Sequence, residues 1–348
     1  MKEAIVGKGP SVQIVDSEIP KPSADQVVIK VVVSGSNPKD VQPLLAFKWK
    51  YPEWTGKSLN QGDDIAGIVH EVGSNVTEFK PGDRVAAFHE MRSPHGSYAE
   101  YAVAWQHTTV HIPAKTSFEE AAAIPLAVLT AAVGLYAQLR LPEPWNPGEK
   151  DVPLVIYGGA SAVGAYTIQL AQRSKIHPQI VVAGGGAPWV EQLIDRSKGD
   201  TIVDYRNGDD AVVKGIKDAL KGKKLEYAYD AISEKGSYEN ISKVLDPNGH
   251  ITLVLPGKDY SEIPASVDKS MTSVGSVHGD NKDLGYVFFR YVAKGLQDGW
   301  FKPQPHEVQQ GGLDGIQGAL QKLKDGKASA VKYVFRIADT PGVSGGKL

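Results

Sequence analysis

A short turn of small residues joins a buried strand to a helix in the middle of this chain. The apolar run Leu154–Tyr157 is typical of a strand that is buried on both faces. Apolar residues then recur at helical spacing from Val163 onward, so few residues separate the two elements. Unpaired backbone N–H groups at the start of such a helix converge on one point and attract an anion. The turn therefore predicts a phosphate site, with a pyrophosphate as its natural occupant.

This turn differs at one position from the dinucleotide-binding fingerprint Gly-x-Gly-x-x-Gly. It begins at Gly159 and ends at Gly164, and Ser161 stands at the central glycine position. Serine still permits a close approach of the phosphate and adds a hydroxyl donor. The alternative interpretation is purely structural, because any tight turn from a strand to a helix collects small residues.

Strand-like apolar runs alternate with helix-forming segments after the turn. The runs lie at 179–183, 201–204, 226–232 and 250–255. This alternation predicts a doubly wound parallel sheet of the Rossmann type, in which ligands bind at the carboxyl ends of the strands. The predicted rim consists of residues 184–187, Tyr205, 231–233 and 255–257.

The end of the second predicted strand favours NADP over NAD. An acidic residue at this point would bind the ribose 2′-hydroxyl of NAD, whereas this chain has Gly184, Gly185 and Gly186 after Ala183. The glycines would offer backbone N–H groups to a 2′-phosphate. Two features argue against NADP: no lysine or arginine follows the glycines directly, and Glu191 is near enough in sequence to reach back.

Length and composition favour a soluble enzyme of two domains. The chain has 348 residues, 41% of them apolar, and a net charge of -2, which excludes nucleic acid and anionic membranes as implied partners. The longest apolar run, at 121–136, is too short to span a bilayer, and the first residues lack the apolar core of a signal peptide. We therefore expect a cytoplasmic protein.

The absence of cysteine excludes disulfides and thiolate zinc sites. Zinc would need histidine and carboxylate ligands alone. His107 and His111 resemble a chelating pair, but segment 99–112 alternates as a strand, which would place them roughly 13 Å apart. The sequence predicts no metal site.

The rest of the chain predicts a second domain around the nucleotide-binding unit. Val-rich strands with Pro-Gly and Gly-Asp turns fill the first hundred residues, which is typical of a mainly antiparallel β domain. The last segment reads as a helix at 284–298, an irregular link at 301–308, a helix at 313–324 and a strand at 331–337. It is too small to fold alone. We expect a β domain at 1–125, a Rossmann domain at 126–276 and a return to the β domain at 277–348.

The order of the motifs resembles the medium-chain dehydrogenase/reductase superfamily over nearly the whole chain. The matching segments are 35–40, 62–67, 81–85, 96–101, 203–206 and 332–334. The resemblance implies a Rossmann domain inserted in a GroES-like, mainly β catalytic domain. Segments 34–37 and 62–64 lack the cysteine and histidine that bind zinc in the zinc alcohol dehydrogenases of this superfamily. The chain is therefore most similar to the zinc-independent quinone and enoyl reductases, and within them to the fungal enoyl reductases that act in trans beside polyketide synthases.

This resemblance implies hydride transfer from NADPH to the activated C=C bond of an enoyl thioester or α,β-unsaturated carbonyl, followed by protonation of the α-carbon. An NADPH:quinone oxidoreductase and a non-catalytic NADPH-binding protein are the alternatives. The resemblance leaves open whether the chain forms a homodimer and whether it has a polyketide synthase partner. The implied cofactor residues are Asp40, Thr130, Ser161, Ala162, Val163, Gly164, Gly184, Gly185, Gly186, Ala187, Tyr205, Leu255, Pro256, Val331 and Lys332. The implied substrate channel consists of Ile124, Pro125, Leu126, Ala127, Val128, Leu129 and Ala131.

Without zinc, hydrogen bonds must polarise the substrate. The candidate donors are Asn37, Lys39 and Tyr51. Tyr51 and Pro52 resemble the Tyr-Pro that carries the proton-donating tyrosine of mitochondrial enoyl reductases, and a phenol with a pKa of about 10 can donate through one water. The alternative is a tyrosine that only packs in a loop between two tryptophans.

Overall fold

The computed structural model describes residues 1–7, 9–41, 59–148 and 151–343. The chain divides into two compact units, of which the first combines Met1–Leu126 with Gly275–Leu348 and the second is Ala127–Val274. Within the described residues, no helix has both the length and the apolar content that crossing a membrane requires.

Strands and helices alternate in the second unit, whereas strands dominate the first. The strands are β1 (Lys2–Val6), β2 (Val12–Asp16), β3 (Gln26–Gly35), β4 (Asp64–Val72), β5 (Arg84–Phe88), β6 (Tyr101–Trp105), β7 (Thr109–His111), β8 (Leu154–Tyr157), β9 (Gln179–Ala183), β10 (Thr201–Asp204), β11 (Tyr227–Asp230), β12 (His250–Leu253), β13 (Asp268–Met271), β14 (His306–Gln309) and β15 (Lys332–Arg336). The α-helices are α1 (Phe118–Ala122), α2 (Pro125–Ala132), α3 (Ala162–Arg173), α4 (Ala187–Glu191), α5 (Asp209–Leu220), α6 (Ser237–Ser242), α7 (Lys282–Asp298) and α8 (Ile316–Lys324).

The second unit is built on six parallel strands in the order β10-β9-β8-β11-β12-β13. Numbered along the unit, this is the order 3-2-1-4-5-6 of the Rossmann fold. Helix α3 packs against β8, α5 against β9 and β10, and α6 against β11. Val155, Ile180, Ile216 and Ile251 lie in the apolar core between these layers. The predicted doubly wound parallel sheet is confirmed.

The first unit contains a seven-stranded sheet in the order β14-β15-β3-β4-β5-β7, with β6 also paired to β3. Its pairs are antiparallel except β14 with β15, and β1 and β2 form a separate two-stranded sheet. Because β15 pairs with β3, the end of the chain completes the sheet that its beginning starts. This mainly β unit confirms the predicted GroES-like domain.

Two strands and one turn differ from the sequence-based expectations. Strands β13 and β14 were not predicted, because each lies at the edge of its sheet and its short, polar sequence lacks an apolar run. The continuous strand predicted at 99–112 is wrong, because a 3-10 turn at Gln106–Thr108 separates β6 from β7. His107 is buried in that turn, whereas His111 lies on β7 beside Asp83.

Candidate functional site

The glycine turn after β8 brings the strand and the start of α3 into close contact. Gly158 has a φ of 81°, a conformation that glycine adopts without strain. A side chain at Gly164 would place its Cβ against the carbonyl oxygen of Gly158. The small residues are therefore needed for the path of the backbone. Ala162 and Val163, in the first turn of α3, are partly exposed.

Ser161 is the N-cap of α3. Its Oγ accepts a hydrogen bond from the backbone N–H of Gly164 at 3.0 Å, and its own N–H binds the carbonyl oxygen of Gly158 at 2.9 Å. Among the described residues, the N–H groups of Ala162 and Val163 have no hydrogen-bond partner. Two backbone donors at the positive end of a twelve-residue helix suit a pyrophosphate.

Asp230 holds the loop that follows β11 at the same edge of the sheet. Its Oδ1 accepts the N–H groups of Ile232 at 3.0 Å and Ser233 at 2.8 Å, and its Oδ2 accepts the Ser237 hydroxyl at 2.6 Å. Burial raises the pKa of Asp230 to about 6, against the lowering effect of these hydrogen bonds. The carboxyl group is therefore committed to the loop.

Ser233 connects this loop to the one that follows β12. Its Oγ donates to the carbonyl oxygen of Asp230 at 3.0 Å and accepts the N–H of Val254 at 2.9 Å. The Tyr260 hydroxyl donates to the carbonyl oxygen of Leu255. These bonds fix the rim on which Leu255 and Pro256 lie.

An aromatic ring from the turn after β10 lies next to the glycines that follow β9. A Cβ at Gly184 would lie only 2.6 Å from the ring of Tyr205, so the ring occupies the space next to the glycine. Glu191 was the acidic residue near enough in sequence to reach the cofactor ribose. Its Oε1 instead accepts a hydrogen bond from Nε of Arg196 at 2.9 Å. The acidic side chain nearest to the glycines in sequence is therefore paired elsewhere.

In the first unit, Lys332 joins a buried polar network. Its Nζ donates to Oδ1 of Asn37 at 2.6 Å and to Oδ2 of Asp64 at 2.7 Å. Nδ2 of Asn37 also donates to Asp64, at 2.9 Å, and the N–H of Leu126 donates to Oδ1 of Asp64 at 2.7 Å. The network links β15, β4 and the first turn of α2.

Lys39 forms the second half of this network. Its Nζ donates to Oδ1 of Asp40 and to the carbonyl oxygen of Gln61, both at 2.8 Å, and forms an ion pair with Asp63. Burial alone would lower the pKa of Lys39, but Asp40 and Asp63 outweigh it and raise the pKa above its usual value. Burial raises the pKa of Asp63 to about 6, although Lys39 opposes this shift.

Asp40 also organises the backbone of the loop after β3. Its Oδ2 accepts the N–H of Asn37 at 2.7 Å and the hydroxyl of Tyr98 at 2.6 Å. Burial, reinforced by the charge of Asp40, raises the pKa of Tyr98 well above its usual range. The hydrogen-bond groups of Asn37 and Lys39 are thus engaged inside the first unit, where two ammonium groups face three carboxyl groups.

The predicted substrate segment is buried along its whole length, from Ile124 to Ala131. The Tyr229 hydroxyl donates to the carbonyl oxygen of Thr130 at 2.9 Å. Tyr51 lies outside the described residues. Within the described part of the chain, no group of three or more histidine or acidic side chains is arranged to hold a metal ion.

Some residues of these networks were absent from the predicted site. Asp64 was visible only as part of the motif at 62–67, and Tyr98 as part of the motif at 96–101. Ser233 lies in the predicted rim segment 231–233, although no role was predicted for it, and Asp230, the last residue of β11, carries no local signal. The partners of Asp64 and Tyr98, Lys332 and Asp40, are distant in sequence, so their pairing could not be read from the neighbouring residues.

Comparison with known proteins gives consistent matches. Residues 23–114 match the alcohol dehydrogenase GroES-like domain. The chain is 54% identical over 316 residues to the trans-enoyl reductase fsr4 of Gibberella fujikuroi, which covers 89% of this chain and 91% of that protein. The solved CurK enoyl reductase matches with a TM-score of 0.77 and 20% identity over 96% of this chain and 98% of its own. The solved quinone oxidoreductase of Pseudomonas syringae pv. Tomato DC3000 matches with a TM-score of 0.72 and 23% identity, and the match covers 96% of this chain and 99% of that one.

Proposed function

Because the chain belongs to the medium-chain dehydrogenase/reductase superfamily and is an oxidoreductase, we propose that it is a zinc-independent, NADPH-dependent enoyl reductase. Its substrate is the activated C=C bond of an enoyl thioester or another α,β-unsaturated carbonyl. The observation that carries this proposal is the 54% identity to a trans-enoyl reductase over 89% of the chain. The two solved structures, at 20% and 23% identity, support the fold alone.

Ser161, Ala162 and Val163 form a cradle at the start of α3 that fits the pyrophosphate of NADPH. The unpaired N–H groups of Ala162 and Val163, with the hydroxyl of Ser161, would bind it. Tyr205 would pack beside the adenine ribose, and residues 184–187 would take the 2′-phosphate. Leu255 and Pro256 would flank the nicotinamide. When bound, NADPH supplies the hydride.

We assign Asn37 and Lys39 to positioning. Their donors are already bound to Asp64, Asp40 and Asp63. Releasing Lys39 to a substrate would leave the buried Asp40 and Asp63 without their counter-charge, and releasing Asn37 would remove one of the hydrogen bonds of the buried Asp64. Lys332 is engaged in the same way. Of the three donors that the sequence suggests, Tyr51 remains the proposed proton donor.

Consumption of NADPH tests the proposal. We expect the purified chain to oxidise NADPH in the presence of crotonyl-CoA or a longer enoyl thioester, and we expect deuterium from the transferred position of NADPH to appear at the β-carbon of the product. Faster reduction of a naphthoquinone than of every enoyl thioester would favour a quinone oxidoreductase. Tight NADPH binding without oxidation by either substrate class would favour the non-catalytic alternative.

Tyr51→Phe tests the proton donor separately. We expect slower turnover with unchanged NADPH affinity, because only the hydroxyl is removed. Unchanged turnover would remove Tyr51 from the mechanism.

We further propose that the enzyme works in the cytoplasm beside a polyketide synthase that presents the enoyl group on a carrier domain. The similarity to a reductase named as acting in trans supports this proposal. A carrier-bound enoyl thioester should then be reduced with a higher kcat/KM than the same acyl group on CoA. Light scattering of the purified chain would test whether it forms a homodimer.

A further inference from the structure

We propose that Arg206 recognises the 2′-phosphate of NADPH and so sets the preference for this cofactor over NADH, an inference that rests on the proposed NADPH-dependent function. The glycines that follow β9 are not followed by a basic residue. A backbone site alone supplies partial charges to a phosphate dianion. A full positive charge must therefore come from another part of the rim.

The register of the sheet brings Arg206 to this edge. Asp204, the last residue of β10, is the Cα partner of Ala183, the last residue of β9. Tyr205 and Arg206 follow at the same edge, and the ring of Tyr205 already lies against Gly184. In the three segments that follow β8, β9 and β10, at 158–161, 184–187 and 205–208, Arg206 is the only lysine or arginine.

The guanidinium of Arg206 rests on the carboxylate of Asp204. Its Nε lies 2.9 Å from Oδ1 and its Nη2 lies 2.6 Å from Oδ2. The hydrogen bonds from Arg206 lower the pKa of Asp204 to about 2. The side chains are 59% and 29% exposed, so solvent screens the pair and its separation costs little. A phosphate accepts the same forked contact as a carboxylate, so the guanidinium can exchange one anion for the other.

Asp204 is poorly placed to act as the acidic residue of an NAD site. That acid comes from the end of the second strand, which is Ala183, whereas Asp204 ends the third. Oδ1 of Asp204 also accepts the backbone N–H of Arg206 at 2.9 Å, in addition to the side-chain bonds. The carboxylate therefore holds the turn and the arginine.

Binding measurements separate this role from catalysis. Adenosine 2′,5′-bisphosphate and AMP differ only in the 2′-phosphate, and calorimetric titration gives the affinity for each. We expect Arg206→Ala to weaken the bisphosphate about ten- to hundredfold, as removal of a charged hydrogen-bond partner does, and to leave AMP unchanged. Arg206→Lys should recover part of the loss, because it keeps the charge without the fork.

Two further variants sharpen the test. Arg173→Ala removes another exposed arginine of the same unit, in the last turn of α3 and at the end of that helix opposite Ser161, and should leave both affinities unchanged. Asp204→Asn should strengthen bisphosphate binding, because Arg206 loses its competing anion. If Asp204 instead binds the ribose 2′-hydroxyl, this variant will weaken NADH binding, which would overturn the inference.

The outcomes also distinguish the two proposals. If the wild-type chain binds NADPH more tightly than NADH and Arg206→Ala keeps that preference, the role of Arg206 is wrong and the NADPH-dependent function stands. If the wild-type chain binds NADH more tightly than NADPH, both fail. An equal loss of AMP and bisphosphate affinity in Arg206→Ala would also contradict the inference, because the effect would not depend on the 2′-phosphate.

Discussion

Lys332 and Asp64 form a buried ion pair with 2.7 Å between Nζ and Oδ2, although 268 positions separate them in the chain. The other carboxylate oxygen of Asp64 accepts the N–H of Leu126 in the first turn of α2. One carboxylate thus connects the last strand of the first unit to the segment proposed to line the substrate channel. Both side chains are buried, so if one is replaced, water does not solvate the charge of the other.

Replacing Lys332 with methionine should therefore destabilise the protein. Lys332→Met leaves Asp64 buried and without its counter-charge, which costs about 3–5 kcal/mol in the free energy of unfolding. Lys324→Met, at an exposed position of α8, should change it by less than about 0.5 kcal/mol. Urea denaturation measures both variants.

Removing both charges provides the matching test. Lys332→Met combined with Asp64→Leu should recover part of the loss, because no unpaired buried charge remains. A cost below about 1 kcal/mol for Lys332→Met alone would contradict the assigned role of the pair.

The sequence predicted the architecture better than the site. Strands β3 and β9 are largely buried, and their apolar runs identify them in the sequence. Strands β13 and β14 are partly exposed edge strands, and their polar sequences resemble those of loops. The cradle at Ser161 was predictable, because all of its parts lie within one turn of sequence. The network of Asp64, Asn37 and Lys332 was not, because it forms only when three distant segments pair in one sheet.

Two serine N-caps allow the cofactor role of Ser161 to be separated from its structural role. Ser161 caps α3, and Ser117 caps α1 through a reciprocal pair of hydrogen bonds with Glu120. Each change to alanine should cost about 1 kcal/mol of stability. Only Ser161→Ala should also weaken NADPH binding, because Ser117 lies in the other unit.

Fluorescence titration with NADPH and urea denaturation of the same samples measure these two effects. An equal change of NADPH affinity in both serine variants would mean that the effect comes from general destabilisation. The cradle would then lose its support as the phosphate site.

Gly164 tests the close contact between the strand and the helix. Gly164→Ala forces its Cβ against the carbonyl oxygen of Gly158, so α3 must move away from the turn. We expect a loss of at least about tenfold in NADPH affinity and about 1–3 kcal/mol in stability. Gly318→Ala in α8 meets nothing within 4 Å and should stabilise the protein by about 0.5–1 kcal/mol without changing affinity. Unchanged NADPH binding in Gly164→Ala would contradict the phosphate assignment.

A pair of histidines in the first unit predicts loss of stability in acid. The rings of His107 and His278 lie 5.6 Å apart, and His278 packs 5.1 Å from Phe88. Burial lowers the pKa of His107 to about 4 and that of His278 to about 3, and the charge of Lys282 adds to the shift of His107. In the unfolded chain both titrate near pH 6.5.

Below pH 6.5 the unfolded chain binds protons that these folded histidines do not, so stability should fall as the pH drops toward about 4 for His107 and about 3 for His278. Asp63 and Asp230, with pKa values raised to about 6, act in the opposite direction, because the folded carboxyl groups bind protons first. Comparison of variants at the same pH cancels this opposing contribution. The histidine effect is therefore visible as a difference between variants.

His278→Asn should reduce the loss of unfolding free energy between about pH 7.5 and about pH 5 by roughly 1–2 kcal/mol, after allowance for solvent screening of the ring. His95→Asn, at an exposed position outside the pair, should show the same loss as the wild-type chain. Urea denaturation at the two pH values measures each difference. If His278→Asn loses as much stability as the wild-type chain, the buried ring does not control the acid sensitivity of the first unit, and protonation elsewhere in the fold must account for it.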